Sequence, residues 1–302
     1  MSDRSPWVSR RILLGSAGAL ALAGCGKPRQ ETAAPAVAAP ATDGPPEGSL
    51  EWAVAGPWRA SDRVRDKFRH PVQTLKFFGL SDNMAVVELW PGAGYYTEII
   101  APFLARNSGR YTAAQFAIDE RGDPSMAQTV ARYREHFGKD RTLYGDVRFT
   151  EFPPGGDRPS APANSADLVL MMNNFHTWMG AGLAEMAMRE AFAALKEGGI
   201  LGVEQHREPI GQVQDPAATD GYVQEAYIKQ MAAEAGFAFV ASSEINANPK
   251  DTRDHPFGVW TLPPTRLSAP RGEPQNPNFN HAKYDLIGES DRMTLKFRKP
   301  NA

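Results

Sequence analysis

The sequence predicts an α/β domain built on a doubly wound sheet. Two observations predict it: short apolar runs alternate with amphipathic segments from about residue 84 onwards, and glycines stand where strands turn into helices or helices end. Such alternation is typical of sheets with helices on both faces, which bind ligands at the carboxyl ends of their strands. The composition agrees, because 42% hydrophobic and 23% charged residues describe an ordinary folded protein.

The first half of the domain follows this pattern element by element. A helix is predicted over 61–79, with Ser61 as its N-cap and Gly79 at its end, since serine caps first turns and glycine adopts the left-handed conformation that ends helices. The short apolar run 84–89 predicts the first strand. A helix over 96–105, a strand over 110–116 and a helix over 124–137 follow in order.

The second half of the domain continues the alternation to a total of seven strands. Strands are predicted at 147–152, 166–171, 200–204, 237–243 and 292–298, and helices at 181–196 and 222–235. Gly198-Gly199 and Gly236 mark the ends of these two helices. The Pro/Gly-rich stretches 153–165 and 262–281 are predicted loops, and the second is either a lid or a surface excursion.

The N-terminus predicts an export signal that ends in a lipid anchor. Arg10-Arg11 precedes an apolar run, 12–23, which is shorter than the ~18 residues that a membrane-spanning helix needs. The paired arginines resemble a twin-arginine signal. Leu22-Ala23-Gly24-Cys25 resembles the lipobox of bacterial lipoproteins, in which the cysteine is acylated. We therefore predict a signal over 1–24 that is removed on export.

The resulting lipoprotein is expected in the cell envelope, facing the periplasm. Cys25 is the predicted lipid attachment site, and Gly26 after it, in place of an acid, favours the outer membrane. Residues 25–49 form a predicted tether, because a segment rich in Ala and Pro buries too little apolar surface to offset its ordering entropy. Residues 50–302 form the predicted domain.

Charge and cysteine content exclude several functional classes. Lys and Arg number 33 against 35 Asp and Glu, so the chain lacks the basic excess that nucleic-acid binding requires. A single cysteine excludes an intramolecular disulfide framework and cysteine-based zinc sites. The histidines show no metal-binding spacing such as HExxH, and we expect no metal. Nor does the sequence contain the Gly-x-Ser-x-Gly elbow of serine hydrolases.

The motif that carries the chemistry follows the first strand. Glu88-Leu89-Trp90-Pro91-Gly92-Ala93-Gly94 places an acid at the end of the strand and glycines in the turn to the helix. Glycine there lets a ligand approach the backbone, and the helix N-terminus offers free N–H groups. A dinucleotide-binding site needs Gly or Ala at position 97, where this chain has Thr97. No Gly-Lys-Ser/Thr follows either, so the segment is neither a dinucleotide site nor a phosphate-binding loop.

This motif resembles the first motif of class I S-adenosylmethionine-dependent methyltransferases. Further matching segments are Arg69-His70-Pro71, Phe77-Phe78-Gly79, Tyr95-Tyr96-Thr97-Glu98, Asn174-Phe175-His176-Thr177-Trp178, Leu195-Lys196-Glu197-Gly198-Gly199, and Asp291-Arg292 ahead of Lys296-Phe297-Arg298-Lys299-Pro300. Together they resemble an exported bacterial family of predicted methyltransferases over most of the domain. The resemblance implies a seven-stranded Rossmann-like methyltransferase sheet with helices on both faces. It also implies S-adenosylmethionine as methyl donor and a small-molecule acceptor.

The resemblance also implies a set of cosubstrate-binding residues. They are Glu88, Trp90, Pro91, Gly92, Gly94, Tyr95, Gln115, Glu151, Phe152 and Asn173. The methionine end is expected over the glycine turn and the adenine near Glu151 and Phe152. Two positions depart from the family pattern. Trp90 stands in the place of the first glycine, and Gln115 replaces the acid that holds the ribose hydroxyls, without the charge that strengthens such contacts.

The predicted catalytic residues, Asn174 and His176, follow the fourth strand, where class I methyltransferases commonly contact the acceptor. Methyl transfer from a sulfonium depends mostly on holding donor and acceptor in line, and a base is needed only for a protonated acceptor. His176 is the candidate base; alternatively it caps the next helix, with Trp178 in the core. Tyr95, Tyr96 or Trp178 is expected near the sulfonium through cation–π contact.

A non-catalytic function is the alternative. S-adenosylmethionine is made in the cytoplasm, so an exported enzyme has no evident supply of it. The alternative is a small-molecule-binding or interaction lipoprotein of the cell envelope on a methyltransferase fold, which agrees with Trp90 and Gln115.

Overall fold

A mixed seven-stranded sheet forms the centre of the structure, a computed structural model that describes residues 44–118, 124–155 and 158–301. The predicted export signal, the lipobox and most of the tether lie outside these residues. The strands are β1 (Ala85–Leu89), β2 (Arg110–Phe116), β3 (Arg148–Phe152), β4 (Ala166–Met172), β5 (Leu195–His206), β6 (Ala238–Ser243), β7 (Pro256–Val259) and β8 (Arg292–Arg298). The short strand β7 is not a member of this sheet.

The strand order confirms the predicted fold class. It runs β3-β2-β1-β4-β5-β8-β6. Strands β1 to β5 are parallel, and β8 pairs antiparallel with both β5 and β6. The order is that of a Rossmann-like methyltransferase sheet, and it reverses between β1 and β4. In open α/β sheets ligands bind at such a reversal, here at the carboxyl ends of the paired β1 and β4.

Helices cover both faces of the sheet. They are α1 (Leu50–Ala55), α2 (Asp66–Arg69), α3 (Pro71–Phe78), α4 (Thr97–Arg106), α5 (Pro124–Lys139), α6 (Arg141–Tyr144), α7 (Phe175–Gly180), α8 (Ala184–Ala194), α9 (Glu225–Glu234) and α10 (Ala282–Ile287). Within the part of the chain that the structure describes, no helix is both long and apolar enough to cross a membrane.

Alternation along the central strands produces two apolar cores. Val87 and Leu89 of β1 join the core that also contains α7, α8 and α9. Val86 joins the opposite core, with residues of α1, α3, α4 and α5. Because successive side chains of a strand point to opposite faces, the apolar run 85–89 supplies both cores, and all five of its residues are buried. The same alternation places Glu88 on the face of Val86.

The structure corrects two of the predicted helices. The predicted helix 61–79 is divided, because His70 takes a left-handed conformation (φ 38°) before Pro71, and a residue that precedes proline disfavours the α-helical region. The helix predicted over 181–196 ends at Ala194. Leu195 is already extended and pairs with Ala166, so Gly198-Gly199 lies within β5 instead of after a helix.

Five short elements and part of the domain boundary were not predicted. Helices α1, α6, α7 and α10 and strand β7 each have six residues or fewer. Their length leaves too few turns for a hydrophobic period. The folded unit also begins before residue 50, because the Ser49 side chain caps α1 and Glu47 forms an ion pair with Arg106.

Candidate functional site

The glycine turn lies at the carboxyl end of β1, beside the end of β4. Gly94 has φ 103°, and a Cβ at this position would lie 2.5 Å from Cζ of Phe137, so only glycine fits. Gly92 also has positive φ, 61°, but no described atom lies within 4 Å of where its Cβ would be. The turn is therefore packed on one side at Gly94 and unobstructed at Gly92, which leaves the backbone of Gly92 accessible to a ligand.

The side chain of Trp90 is buried in the aromatic core beside this turn. Its indole N–H donates a 2.6 Å hydrogen bond to the backbone carbonyl of Phe152, at the end of β3. The rings of Phe116, Phe152 and Trp178 surround it edge-on, at centroid distances of 4.7, 6.2 and 5.6 Å. Only 8% of Trp90 is exposed. The indole therefore packs against Phe152, one of the two residues near which the resemblance implies the adenine.

Two other predicted cosubstrate residues make internal contacts. Gln115 is fully buried, and its Nε2 donates a 2.7 Å hydrogen bond to the carbonyl of Gly92, so it supports the turn from within the sheet. Glu88 accepts a hydrogen bond from the hydroxyl of Tyr111. Burial raises the pKa of the Glu88 carboxyl to about 7, against the opposing effect of that hydrogen bond. Their contacts with a cosubstrate stay predictions.

The ends of β3 and β4 carry the next predicted residues. Phe152 is fully buried, whereas Glu151 is partly exposed and forms a 3.0 Å ion pair with Arg134. Asn174 donates a 2.7 Å hydrogen bond from Nδ2 to the carbonyl of Trp90, which joins the segments after β1 and β4. Asn173 has a left-handed conformation, φ 59°, and its Oδ1 is buried without a hydrogen-bond partner in the described chain.

Asn173 belongs to a buried polar cluster at the end of β5. Its Nδ2 and the hydroxyl of Tyr96 both donate 2.8 Å hydrogen bonds to the carboxylate of Glu204. Asn246 donates to the same carboxylate, and Arg292 lies 3.4 Å from it. All the hydrogen bonds within this cluster link segments far apart in sequence, so they fix the positions of several loops at once.

Arginines and one carboxylate continue the cluster toward α2. Glu289 lies within 3.0 Å of Arg65, Arg69 and Arg292. Burial by itself raises the pKa of the Glu289 carboxyl, but the three guanidiniums outweigh it and hold that pKa at about 2. Tyr95 lies beside this group, with the guanidinium carbons of Arg59, Arg65 and Arg69 at 5.2, 5.1 and 4.7 Å from its ring centroid.

Several of these residues were not predicted from the sequence. Asn246 lies in an irregular segment without a motif, and nothing in the local sequence indicates its role. Glu289 precedes the Asp291-Arg292 segment, whose charged residues were a signal for a buried ion-pair network. Tyr95 was expected near a sulfonium, and its ring already contacts cations of the chain itself.

His176 lies on α7, on the side of the helix that faces β5. Its Nδ1 contacts the amide of Gln205, and its ring centroid lies 5.3 Å from that of His206 and 5.7 Å from that of Trp260. Burial lowers the pKa of His176 to about 4, so the imidazole is neutral at pH 7. The alternative interpretation was wrong in one part, because no described side chain caps the next helix, α8. It was right in the other, because the buried Trp178 packs in the core.

The loop predicted over 262–281 begins beside His176. The backbone N–H of Leu267 bonds to the carbonyl of Trp260, and the guanidinium of Arg271 stacks 3.9 Å from the Trp260 ring. The beginning of the loop therefore lies near the end of α7 that carries His176. The described residues contain no group of three or more His, Cys, Asp or Glu side chains that could hold a metal ion.

Comparison with known proteins found similarity among solved structures only. No family model and no curated protein matches the chain. The [4+2]-cyclase SpnF has a TM-score of 0.49 at 16% identity, covering 78% of this chain and 81% of that chain. A SAM-dependent methyltransferase from Aquifex aeolicus has a TM-score of 0.45 at 18% identity, with coverages of 63% and 90%.

A third structure, the 1,6-didemethyltoxoflavin-N1-methyltransferase of Burkholderia thailandensis, has a TM-score of 0.43 at 13% identity, with coverages of 82% and 85%. Structural similarity of this degree does not assign an activity to this protein. The assignment of the fold class therefore rests on the strand order of the protein itself.

Proposed function

We propose that this protein is a class I S-adenosylmethionine-dependent methyltransferase that acts on a small acceptor. One observation carries the proposal: the glycine turn, with its unobstructed Gly92, lies where the strand order reverses between β1 and β4. Ligands of doubly wound sheets bind at this position. The proposed catalytic residues, Asn174 and His176, follow β4 at the same edge of the sheet.

The residues beside the glycine turn fit the methionine end of this cosubstrate. An α-ammonium group needs hydrogen-bond acceptors, and the unpartnered Oδ1 of Asn173 is one, with the carboxylate of Glu204 beside it. An α-carboxylate needs donors, which the backbone around Gly92 and the N-terminus of α4 supply. We therefore propose that the methionine end binds at the backbone of Gly92 and the side chain of Asn173.

The adenosyl end fits less well. Its expected position against Phe152 holds the indole of Trp90, and the amide of Gln115 is engaged with Gly92. An adenine can occupy this position only after the indole leaves it. This disagreement favours the second candidate function, a non-catalytic binding lipoprotein of the envelope whose cleft takes a different small molecule.

The contribution of the chain to methyl transfer is positioning. S-adenosylmethionine, when bound, would supply a sulfonium methyl group: an acceptor attacks the methyl carbon in line, the C–S bond breaks, and S-adenosylhomocysteine leaves as the thioether. Asn174 sets the separation between the segments that follow β1 and β4 by its hydrogen bond to Trp90. The neutral imidazole of His176 accepts a hydrogen bond from the molecule that is to be methylated. Its pKa of about 4 makes it a weak base near neutral pH. The proposed acceptor therefore attacks without prior loss of a tightly held proton.

Calorimetric titration of the purified full-length protein with S-adenosylmethionine tests the proposal. We expect a dissociation constant below about 100 μM. Gly92→Arg places a long side chain over the turn and abolishes binding. Gly182→Arg is the matched control, because Gly182 has nearly the same φ, 68° against 61°, and no described atom near its Cβ. No heat from the wild-type protein at millimolar ligand contradicts the proposal and favours the non-catalytic candidate.

We further propose that the protein is exported and anchored through a lipid on Cys25, facing the periplasm, with the outer membrane as its favoured location. The twin-arginine-like and lipobox segments of the sequence support this location. Cells fed radiolabelled palmitate are expected to label the wild-type protein and to leave Cys25→Ser unlabelled. Equal labelling of the two proteins contradicts the anchor.

A further inference from the structure

We infer that the indole of Trp90 is a built-in occupant of the adenine position, and that an adenosyl group binds there only when the indole has moved out. The inference rests on the proposed function for the identity of the ligand. It makes Trp90 the residue that controls whether the cleft accepts a nucleoside.

The contacts around the Trp90 indole resemble those that a protein makes with a bound aromatic base. An indole and an adenine are both flat, bicyclic and of similar size. Phe116, Phe152 and Trp178 enclose the indole edge-on, and one backbone carbonyl, that of Phe152, receives its N–H at 2.6 Å. Such a carbonyl is also a suitable acceptor for the exocyclic amino group of adenine.

The ring of Trp178, 5.6 Å from that of Trp90, carries a second polar group that the Trp90 indole does not pair with. The indole N–H of Trp178 is buried and has no acceptor among the residues described, and Trp178 is 0% exposed. A buried donor without a partner is unfavourable, and indole has no ring acceptor to offer it. A purine ring has such acceptors. The surroundings of the indole thus include an acceptor at Phe152 and an unused donor on the adjoining ring of Trp178, a combination that suits adenine better than indole.

The backbone at Trp90 is under strain. Its φ of 55° lies in the left-handed region, which is unfavourable for a bulky side chain. Two hydrogen bonds hold it there: its N–H donates to Ala114 and its carbonyl accepts from Asn174, at 2.8 and 2.7 Å. The conformation of Trp90 is therefore coupled, through Asn174, to the segment that carries His176.

Trp90→Gly provides the test, because glycine adopts the left-handed conformation without strain and removes the indole. We expect full-length Trp90→Gly to bind adenosine and S-adenosylhomocysteine at least about tenfold more tightly than wild type in calorimetry, since the wild-type pocket is only fractionally available. Trp52→Ala is the matched control. It removes an indole that packs against the opposite core, at α1, and is expected to leave the affinity unchanged.

The outcomes separate this inference from the proposed function. A folded Trp90→Gly that gains no affinity overturns the inference, as does a gain of the same size in Trp52→Ala. Wild type that binds S-adenosylhomocysteine more tightly than Trp90→Gly also overturns it, while the proposed function stands. If Trp90→Gly binds S-adenosylhomocysteine and the wild-type protein does not, the inference is supported and methyl transfer by the wild-type protein is contradicted.

A second measurement covers the case in which Trp90→Gly does not fold. Trp90→Leu keeps an apolar side chain and is expected to gain affinity in the same direction, by less. In wild type labelled with 5-fluorotryptophan, the fluorine resonance that is missing from Trp90→Leu is expected to shift on addition of S-adenosylhomocysteine. Saturation with ligand without a shift of that resonance overturns the inference.

Discussion

The packing at Gly94 and the unobstructed space at Gly92 give a matched pair of substitutions with different expected costs. Gly94→Ala places a methyl group 2.5 Å from Cζ of Phe137 and 3.2 Å from the ring of Tyr133. Phe137 cannot easily yield, because it is 1% exposed and packs against the rings of Tyr133 and Tyr144 at 4.5 and 4.9 Å. Gly92→Ala meets no described atom within 4 Å.

The two costs follow from separate physical terms. A left-handed conformation costs a non-glycine residue about 1–2 kcal/mol, and both positions carry this cost. Overpacking of a rigid core adds about 1–3 kcal/mol, which applies to Gly94→Ala alone. We therefore expect Gly94→Ala to lose about 2–5 kcal/mol of the free energy of unfolding. The expected loss for Gly92→Ala is about 1–2 kcal/mol.

Equilibrium unfolding in urea, followed by circular dichroism, measures the difference. We expect Gly94→Ala to unfold at a lower urea concentration than Gly92→Ala, with an unchanged slope of free energy against urea. Equal losses for the two variants would show that Phe137 yields to the methyl group. That result would refute the packing at the turn, and with it the argument that the turn has one rigid side and one unobstructed side.

Three further predictions concern buried ionisable side chains. Burial raises the pKa of Glu88 to about 7 in the folded protein, so stability falls as pH rises from about 4.5 to about 7. In Glu88→Gln the melting temperature should no longer fall with pH through this effect. The same dependence of melting temperature on pH in the variant and the wild type contradicts the prediction. Because His176 has a pKa of about 4, its own titration should contribute nothing to the pH dependence of methyl transfer near pH 6.5. A His176→Gln variant with a different pH–rate profile over that range contradicts this. Arg292→Met leaves Glu204 and Glu289 with fewer partners and should cost about 3–5 kcal/mol in urea unfolding, whereas a cost below about 1 kcal/mol contradicts a buried ion pair.

The two candidate functions differ in the behaviour of one side chain. If the indole of Trp90 leaves the pocket at low cost, the cleft takes the methyl donor and Asn174 and His176 face the acceptor. If the indole stays, the pocket at Phe152 is permanently filled, and a ligand is restricted to the space between Gly92 and Asn173. The strain at Trp90 and the unpaired N–H of Trp178 favour movement, whereas the hydrogen bond to Phe152 opposes it.

Much of the fold was predictable from local sequence. Strands β2 and β8 have the predicted bounds, and β1, β3 and β4 differ from them by one residue. Short apolar runs between glycine-marked turns are sufficient for such strands, because the hydrophobic pattern specifies burial residue by residue. The end of α8 was not predictable, since Leu195 leaves the helix to pair with Ala166, a contact 29 positions away.

The sequence by itself determined the alternation of strands and helices, the glycine turn after β1 and the predicted catalytic pair after β4. These features depend on period, turn chemistry and order along the chain, all of which are local. Only the tertiary structure decided that Trp90 fills the pocket beside the turn, that Gln115 supports Gly92, and that Asn246 and Glu289 complete a buried polar cluster. The partner of a buried side chain depends on which distant segment folds against it, and the local sequence does not contain that information.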